Sequence, residues 1–415
     1  MSSTPLFPVR RRRVFYLPGY DPFPPRRYRE LYRTEAALQG AISNYDIRMS
    51  GQTTGQGYGW RVHATIDDQP TETDIEVLVW SDIVQDSRPA GILATYADLF
   101  RTAWIYMTTG ALWRLMRLRK GPVIAALYPV VALLAQALTA AALGWAMLRI
   151  VHRMGQELLS PDAQGIGLIA GGVVGITLSA LVLRWFRDND GKFFAYYLMH
   201  DFAYSAALNG AYTEPLERRL TAFRARIAQA LSEEVDEVLI VGHSSGAHLG
   251  VSILSDLISA GEVPDKGPSL AFLSLGHVVP MVSFLPDAHR LRRDLHYLSQ
   301  RPEVTWVDVT APGDGCCFAL CDPVAVSGQA TQDKCGPLVF SAAFTQSLSP
   351  ARWKALRWRF FRLHFQYLCA FDQPKDYDYF QITAGPVRLA DRYVDRPASK
   401  SRIDHAVSKY TATDP

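Results

Sequence analysis

The chain has little net charge and few cysteines. Its 415 residues include 43 lysines and arginines and 40 acidic residues, which leaves a formal net charge of +3. Because a near-balanced charge creates no long-range field for a polyanion, we expect no nucleic-acid partner. The five cysteines are an odd number, and four of them lie between residues 316 and 335. This spacing fits neither a disulfide framework nor a paired zinc site, so we expect free thiols, no metal and no cofactor.

The N-terminus lacks an apolar run long enough for a secretion signal. Its first apolar run covers only residues 14–17 and follows an arginine-rich stretch, residues 1–13, that we interpret as a basic tail. The hydrophobic region of a signal peptide needs at least about seven apolar residues. We therefore expect any membrane insertion to come from inside the chain.

Two long internal stretches lack charged residues altogether. Residues 121–148 and 163–183 contain no Asp, Glu, Lys or Arg and are rich in small and aliphatic side chains. A helix of about 20 apolar residues crosses the bilayer core. The pattern therefore predicts a transmembrane hairpin at 121–187, with spans at about 123–148 and 163–184. The alternative is a pair of buried core helices, although such helices seldom run so long without a polar stripe.

The second uncharged stretch carries a stripe of glycines. Gly167, Gly171 and Gly175 are four residues apart, so they lie on one face of a helix. In lipid, such small residues let a second helix backbone approach closely. We expect this face to pack either against the first span or against the same face of a second copy in a homodimer.

Basic residues flank the hairpin on its outer sides. The connecting loop contains only Arg149 and Arg153, whereas seven basic residues lie just outside the spans: Arg114, Arg117, Arg119, Lys120, Arg184, Arg187 and Lys192. Under the positive-inside rule this asymmetry places both soluble arms in the cytoplasm. We expect an integral protein of a bacterial inner membrane, with the lipid bilayer as a partner.

Outside the hairpin, apolar runs typical of strands alternate with helical patterns. The expected strands are 14–17, 60–66, 75–80, 238–241, 270–275 and 304–309, and the expected helices are 26–41, 92–118, 215–231 and 287–299. Such alternation predicts an α/β fold with a mostly parallel sheet covered by helices on both faces. The hairpin then interrupts one domain formed by residues 14–120 and 188–390, and residues 391–415 form a loosely held polar tail.

The strongest local motif is Gly242-His243-Ser244-Ser245-Gly246. It follows the β-prone run 238–241 and precedes a helical run at 247–257. A strand, a sharp turn and a helix are the context of a nucleophile elbow, in which Ser244 projects above the sheet and the backbone N–H of Ser245 can bind an oxyanion. The alternative is a phosphate-binding or structural glycine-rich turn.

This motif resembles the elbow of the α/β-hydrolase superfamily, on its lipase and esterase side. In that family a second oxyanion donor comes from the loop after an early strand. The resemblance implies that Gly19 or Tyr20, after the run 14–17, supplies it. Pro18 stands where the family usually has His, and a simple tight turn is the alternative for this loop.

The family's order of serine, acid and histidine implies the remaining candidates. Asp314, in a Gly-flanked turn after the strand 304–309, is the favoured acid, with Asp322 and then Asp308 as alternatives. His364, embedded in aromatic residues, is the candidate base, since His405 lies in the polar tail. In this arrangement His364 accepts the Ser244 proton and Asp314 orients the imidazole.

Together these features predict a membrane-anchored serine hydrolase that cleaves the carboxylic ester of a lipidic or amphiphilic substrate through an acyl-enzyme. The substrate class follows from location alone, because an anchored site meets lipids at high effective concentration. Two alternatives stay open. The same acyl-enzyme could transfer its acyl group to an alcohol, or the fold could be a catalytically silent membrane scaffold.

Overall fold

The structure, a computed structural model, describes residues 8–21, 23–51, 57–87, 91–158 and 164–415. These residues form a mixed α/β fold. The strands are β1 (Arg11–Leu17), β2 (Asp46–Ser50), β3 (Gly59–Ile66), β4 (Gln69–Val77), β5 (Glu237–His243), β6 (Ser269–Leu275), β7 (Val304–Thr310) and β8 (Leu338–Ser341). The helices are α1 (Arg26–Ser43), α2 (Ser81–Asp86), α3 (Ile92–Thr108), α4 (Ala111–Leu118), α5 (Lys120–Leu158), α6 (Gln164–Asp188), α7 (Asp190–Phe193), α8 (Ala195–Ala206), α9 (Glu214–Leu231), α10 (Gly246–Ser259), α11 (Val279–Ser283), α12 (His289–Leu298), α13 (Pro323–Val326), α14 (Phe344–Ser347), α15 (Pro350–Leu356), α16 (Phe360–His364), α17 (Tyr379–Ala384) and α18 (Leu389–Arg392), with a 3-10 helix at Phe365–Leu368.

The described strands form one eight-stranded sheet with the order β2-β3-β4-β1-β5-β6-β7-β8. Strands β4, β1, β5, β6, β7 and β8 are parallel to one another, and β2–β3 and β3–β4 pair antiparallel. The sequence therefore predicted the mostly parallel sheet correctly. It missed β2 and β8, which are only five and four residues long and too short to display a clear period.

Both faces of the central strands are covered by helices. Val14, Tyr16 and Leu239 face a core that also contains side chains of α1 and α17. The intervening residues face the opposite side, where α10 packs so closely on β6 that a Cβ at Gly250 would lie 2.7 Å from the Phe272 ring. Because strands buried on both faces need apolar residues at every position, β5 reads as a continuous apolar run.

The carboxyl ends of four neighbouring strands lie at the same edge of the sheet. In the parallel register Leu17 pairs with Gly242, His243 with Leu275, and Leu275 with Val309. The loops after β1, β5, β6 and β7 therefore meet there. In an open parallel sheet this edge is where ligands bind.

The last three residues of the expected basic tail, 11–13, are part of the sheet. Strand β1 begins at Arg11 rather than at residue 14, and Arg12 is 1% exposed. The Arg12 Nε donates to Glu237 Oε2 at 2.6 Å, and its other nitrogens donate to the Gly385 and Val387 carbonyls. A buried guanidinium needs such partners, and they lie more than 200 residues away. Residues 1–7 lie outside the described part of the chain.

The C-terminal residues are also held, contrary to the expectation of a loose tail. Ile403 forms a parallel bridge with Cys321, and its N–H donates to the Leu320 carbonyl at 2.7 Å. Further along, the Val407 N–H donates to Val326, and the Ala412 carbonyl accepts from Arg292 Nε. Between residues 403 and 412 these backbone hydrogen bonds hold the segment, and the hydropathy of the sequence did not predict them.

The chain divides into two compact units. One comprises Met1–Ser87, Tyr106–Val123 and Ser205–Pro415 and contains the sheet, and the other comprises Arg88–Ile105 and Ile124–Tyr204. The helical unit is thus larger than the expected hairpin 121–187. A core of Leu99, Leu133, Ala195, Tyr196, Met199 and Ala203 joins α3 and α8 to α5. The expected single helix 92–118 is interrupted at Gly110, whose φ of 76° ends α3.

Two helices, Lys120–Glu157 and Gly165–Asp188, are long and apolar enough to cross a membrane. In the most apolar 18-residue window of each, only 28% and 17% of the residues are buried. A core helix of a soluble protein would hide most of such a surface. The first helix continues past the expected end of its span at 148, and residues 159–163, where the second span was expected to begin, lie outside the described residues.

The glycine stripe packs against the first apolar helix. A Cβ at Gly175 would lie 2.5 Å from the Gly144 carbonyl oxygen, and one at Gly171 would lie 2.8 Å from that of Leu148. Only glycine permits backbones this close. Of the two expected packings, the structure has the one within a single chain.

The buried Arg12 predicts a large difference between neighbouring arginines. Arg12→Met leaves the Glu237 carboxylate buried without its cation, so we expect the free energy of unfolding to fall by about 3–5 kcal/mol. Arg11 is exposed, and Arg11→Met should change it by less than about 0.5 kcal/mol. Thermal unfolding of both variants in detergent micelles measures this, and equal midpoints would show that the buried pair contributes little.

Candidate active site

The motif residue Ser244 lies in a sharp turn between β5 and α10. Its φ is 57°, a left-handed conformation that a non-glycine residue seldom adopts. Strand β5 ends at His243 and α10 begins at Gly246. The Ser244 N–H donates to the Leu275 carbonyl at 2.9 Å, and the residue is partly exposed. The turn therefore presents the serine at the carboxyl edge of the sheet.

The two motif glycines are required by space. A Cβ at Gly246 would lie 2.1 Å from the Leu17 carbonyl oxygen, and a Cβ at Gly242 would lie 2.8 Å from the Gly246 carbonyl oxygen. No real Cβ contact is this short, so any other residue would push α10 away from β1 or from its own strand. Close passage of the helix over the strand ends is what allows the turn at Ser244.

The loop after β1 lies directly against Ser244. A Cβ at Gly19 would be 2.9 Å from the Ser244 Cβ and 3.3 Å from its Oγ. The loop is held from outside, because Trp80 Nε1 donates to the Pro18 carbonyl at 3.0 Å and the Trp80 ring contacts that of Tyr20. The structure thus brings Gly19, in the expected oxyanion loop, beside the serine, and Tyr20 follows it in the same loop.

His364 and Asp314 form a buried pair. The imidazole Nδ1 and the carboxylate Oδ2 are 2.7 Å apart, and the two side chains are 8% and 0% exposed. Asp314 lies in the loop after β7, and His364 is the last residue of α16. A carboxylate that accepts from Nδ1 leaves Nε2 as the nitrogen that can accept a proton.

Several donors converge on Asp314. The Cys316 N–H donates to Oδ1 at 2.9 Å, and the Tyr367 hydroxyl donates to Oδ2 at 3.1 Å. Burial alone would raise the pKa of Asp314, but the charge of the adjacent His364 and hydrogen bonds from His364, the Cys316 N–H and Cys317 outweigh it and hold the pKa below its ordinary value. Burial raises the pKa of Tyr367 well above its ordinary value, so its hydroxyl remains a donor. The site therefore stabilises the ionised carboxylate.

The serine turn and the imidazole are joined through His243 and Gly276. The His243 ring lies 4.8 Å from the His364 ring, and its Nε2 is 3.1 Å from the His364 carbonyl oxygen. A Cβ at Gly276, which follows β6, would lie 3.1 Å from His364 Cε1. Burial, and then the charge of His364, lower the pKa of His243 to about 3. His243 is thus a neutral support for the backbone of His364.

The alternative acids have other partners. Asp322 accepts from the Val324 and Ala325 N–H groups at the start of α13 and pairs with Lys334 at 2.8 Å. Asp308 accepts from the Ser274 hydroxyl at 2.5 Å and lies 3.7 Å from His277 Nε2. Each of these two carboxylates thus has hydrogen-bond or ion partners other than His364.

The remaining histidines near the motif are also accounted for. His248 Nδ1 lies 3.0 Å from the Tyr212 hydroxyl, and burial lowers the pKa of His248 to about 3. It is buried on α10, whereas His405 is exposed in the C-terminal segment. Of the two histidines that follow the candidate acids, the structure brings only His364 to an aspartate of this group.

Among the described residues, one group has donor atoms arranged for a metal ion. Those atoms belong to Asp314, Cys316 and His364 and lie within 4.8 Å of one another. Two of these three side chains, Asp314 and His364, are hydrogen-bonded to each other. The acid–imidazole pair therefore accounts for the close approach of these atoms.

Sequence reasoning missed Tyr367, Cys316 and Gly276. Tyr367 follows His364 by three residues, so it lies beside the histidine once that segment turns helically. Gly276 directly follows a predicted strand, and its φ of 54° allows the chain to turn under the imidazole. A local sequence signal marked these positions, but spacing alone could not show which residue each of them contacts.

Comparison of the chain with protein-family models, with curated proteins and with solved structures finds no match.

Asp308 predicts a pH dependence of stability. Burial, partly offset by His277 and Ser274, raises the pKa of Asp308 to about 6, whereas an aspartate in an unfolded chain titrates near pKa ~3.9. Between about pH 4 and pH 6 the folded state therefore holds more protons than the unfolded state, and stability decreases as the pH rises. Asp308→Asn cannot ionise, so its thermal unfolding midpoint should fall less across this window than that of the wild type. The same pH dependence in both proteins would contradict this.

Proposed function

We propose that this chain is a membrane-anchored serine hydrolase of the α/β-hydrolase type that cleaves a carboxylic ester through Ser244, His364 and Asp314. The observation that carries the proposal is the buried His364–Asp314 pair, 2.7 Å apart, next to a left-handed serine turn at the carboxyl edge of the sheet. An ordinary core histidine needs neither a fully buried carboxylate nor a neighbouring strained serine.

Proton transfer begins with His364. Its Nε2 accepts the proton of the Ser244 hydroxyl as Oγ attacks the ester carbon, and the resulting imidazolium is stabilised by Asp314. The carboxylate stays ionised because the charge of His364 and hydrogen bonds from His364 and the Cys316 N–H outweigh the effect of burial. The imidazolium then gives its proton to the leaving alcohol, which yields the acyl-enzyme. Water then attacks the acyl carbon as His364 accepts its proton, and His364 returns that proton to the Ser244 Oγ as the acyl–oxygen bond breaks and the carboxylic acid leaves.

The negative charge of the tetrahedral intermediate is stabilised by backbone donors. The N–H of Ser245, at the start of α10, is one, and the Gly19–Tyr20 loop supplies the other. Gly19 supports this role because its Cα approaches Ser244 too closely for a side chain. The packing of Trp80 on the loop orders it before the substrate binds, and pre-ordered donors are the main source of such stabilisation.

Location suggests the substrate class. Two helices are apolar enough to span a bilayer, and we place them there as a hairpin, with the catalytic unit on the cytoplasmic side as the flanking basic residues indicate. Chain connectivity keeps the site near lipid, so a lipidic or amphiphilic ester is the substrate that it meets at the highest effective concentration.

A fluorophosphonate probe tests the nucleophile. The probe phosphonylates only a serine whose proton can be removed, so we expect labelling of the wild type and its loss in Ser244→Ala. Ser245→Ala is the matched control, because it removes the neighbouring hydroxyl and keeps the backbone N–H. Labelling that survives in Ser244→Ala, as measured by gel fluorescence and peptide mass, would rule out this nucleophile.

A pair of aspartate variants tests the acid in the same assay. Asp314→Asn removes the charge that stabilises the imidazolium, and we expect the labelling rate to fall by about 10³–10⁴-fold. Asp322→Asn keeps an acceptor at the start of α13 and should react at close to the wild-type rate. Equal rates for the two variants would exclude Asp314 as the acid.

Arginine substitutions test the membrane spans. Leu138 and Val173 are 71% and 61% exposed, so Leu138→Arg with Val173→Arg would be harmless in water. In lipid each arginine costs about 2.5–3.5 kcal/mol, and we expect the fraction that resists alkaline carbonate extraction to fall sharply. The control, Leu138→Phe with Val173→Phe, should extract like the wild type. Unchanged extraction of the arginine variant would contradict the spans.

A further inference from the structure

A basic and aromatic segment covers the loop that holds Asp314. It consists of residues 352–362, in α15, α16 and the turn between them. Six consecutive residues, 357–362, are exposed and read Arg-Trp-Arg-Phe-Phe-Arg. Trp358 is 72% exposed and Phe360 is 47% exposed. An aromatic ring as exposed as that of Trp358, between two arginines, is unusual for a solvated surface.

The charge of this segment is of one sign. The sequence contains no Asp or Glu between Asp333 and Asp372, and residues 352–362 contain four arginines and one lysine. Arg352 pairs with Glu35 at 3.7 Å. In the described part of the chain, no carboxylate lies within ion-pair distance of the other four, which are Lys354, Arg357, Arg359 and Arg362.

The patch continues onto the start of α1. The guanidinium of Arg27 lies 4.7 Å from the Phe23 ring centre and 4.8 Å from that of Phe365, which directly follows α16. Phe23 is 41% exposed. The surface thus combines basic and aromatic side chains from two parts of the chain that are far apart in sequence.

The segment touches the candidate site. A Cβ at Gly313 would lie 2.6 Å from the Trp353 ring, and one at Gly315 would lie 3.3 Å from Phe360. These glycines flank Asp314, and His364 ends α16. The position of α15 and α16 therefore bears directly on both members of the acid–imidazole pair.

We propose that residues 352–362 dock on the anionic phospholipid surface of the bilayer. Arginines attract anionic headgroups, and Trp and Phe side chains insert at the level of the headgroups. The inference rests on the membrane location in the proposed function, which keeps such a surface within reach of the segment. A polyanion such as RNA would also attract the charge, but the chain offers no second element that points to nucleic acid. Docking places the loop that holds Asp314 at the interface from which a lipidic ester is drawn.

Trypsin cleavage of the full chain in nanodiscs tests this docking. Arg359 lies in the turn before α16 and is a cleavage site that a docked segment hides. Cleavage after Arg359 is measured by mass spectrometry relative to cleavage after Lys266, an exposed loop residue. We expect it to be about fivefold slower, or more, in nanodiscs with one third phosphatidylglycerol than in pure phosphatidylcholine, since each basic residue adds to the attraction.

Two exposed apolar residues supply the variants. Trp358→Glu should abolish the effect of phosphatidylglycerol, whereas Val394→Glu, at a residue 75% exposed outside the segment, should keep it. Equal cleavage in the two lipids, or the same loss in both variants, overturns the proposal. Protection by poly-uridylate but not by phosphatidylglycerol would assign the segment to nucleic acid instead. Cleavage by trypsin does not depend on Ser244. A result that overturns the docking proposal would therefore leave the fluorophosphonate test of the nucleophile unaffected.

Discussion

The left-handed backbone of Ser244 is the constraint on which the candidate site depends. Such a conformation costs a non-glycine residue about 1–3 kcal/mol, and the surrounding contacts must compensate for it. They do so through the parallel register of β1, β5 and β6, which places the Leu17 carbonyl under Gly246 and the Leu275 carbonyl opposite the Ser244 N–H. The same register brings the loops after β1, β6 and β7 to one edge. Both the strained turn and the site around it therefore depend on the register of this one sheet.

The electrostatics of the site separate two neighbouring imidazoles. His243 and His364 lie nearly in contact, but only His364 has a carboxylate partner. Burial keeps His243 neutral. A positive charge on His243 would also be unfavourable beside a positive charge on His364. Asp314 is fully buried and still favours its ionised form, because of the charge of His364 and the hydrogen bonds that it accepts from that imidazole and from the Cys316 N–H. Under the proposed mechanism, such a carboxylate would stabilise the charge that develops on His364.

The proposed bilayer contacts are of two physical kinds. The hairpin helices rely on apolar length and on close glycine packing, as at Gly144 and Gly175, whereas residues 352–362 rely on surface charge and aromatic side chains. Contacts of the first kind would anchor the chain in the bilayer, but they do little to orient the rest of the chain on its surface. The second bears on the site, because Trp353 and Phe360 lie against the glycines that flank Asp314. An anchored hydrolase of this design would be sensitive to the composition of the bilayer as well as to its presence.

Local pattern alone determined the mostly parallel sheet, the two long apolar helices and the strand–turn–helix at Ser244, because periodicity, missing charge and paired glycines act over a few residues. It also favoured Asp314 among the aspartates but could not exclude Asp308 or Asp322. Only the tertiary structure shows that His364 lies against Asp314, since the loop after β7 and helix α16 meet across 50 residues of sequence. For the same reason Arg12 was read as tail and not as core, and Tyr367 had no visible role. Charged and polar side chains are buried only with a partner, and no local pattern shows a partner that is distant in sequence.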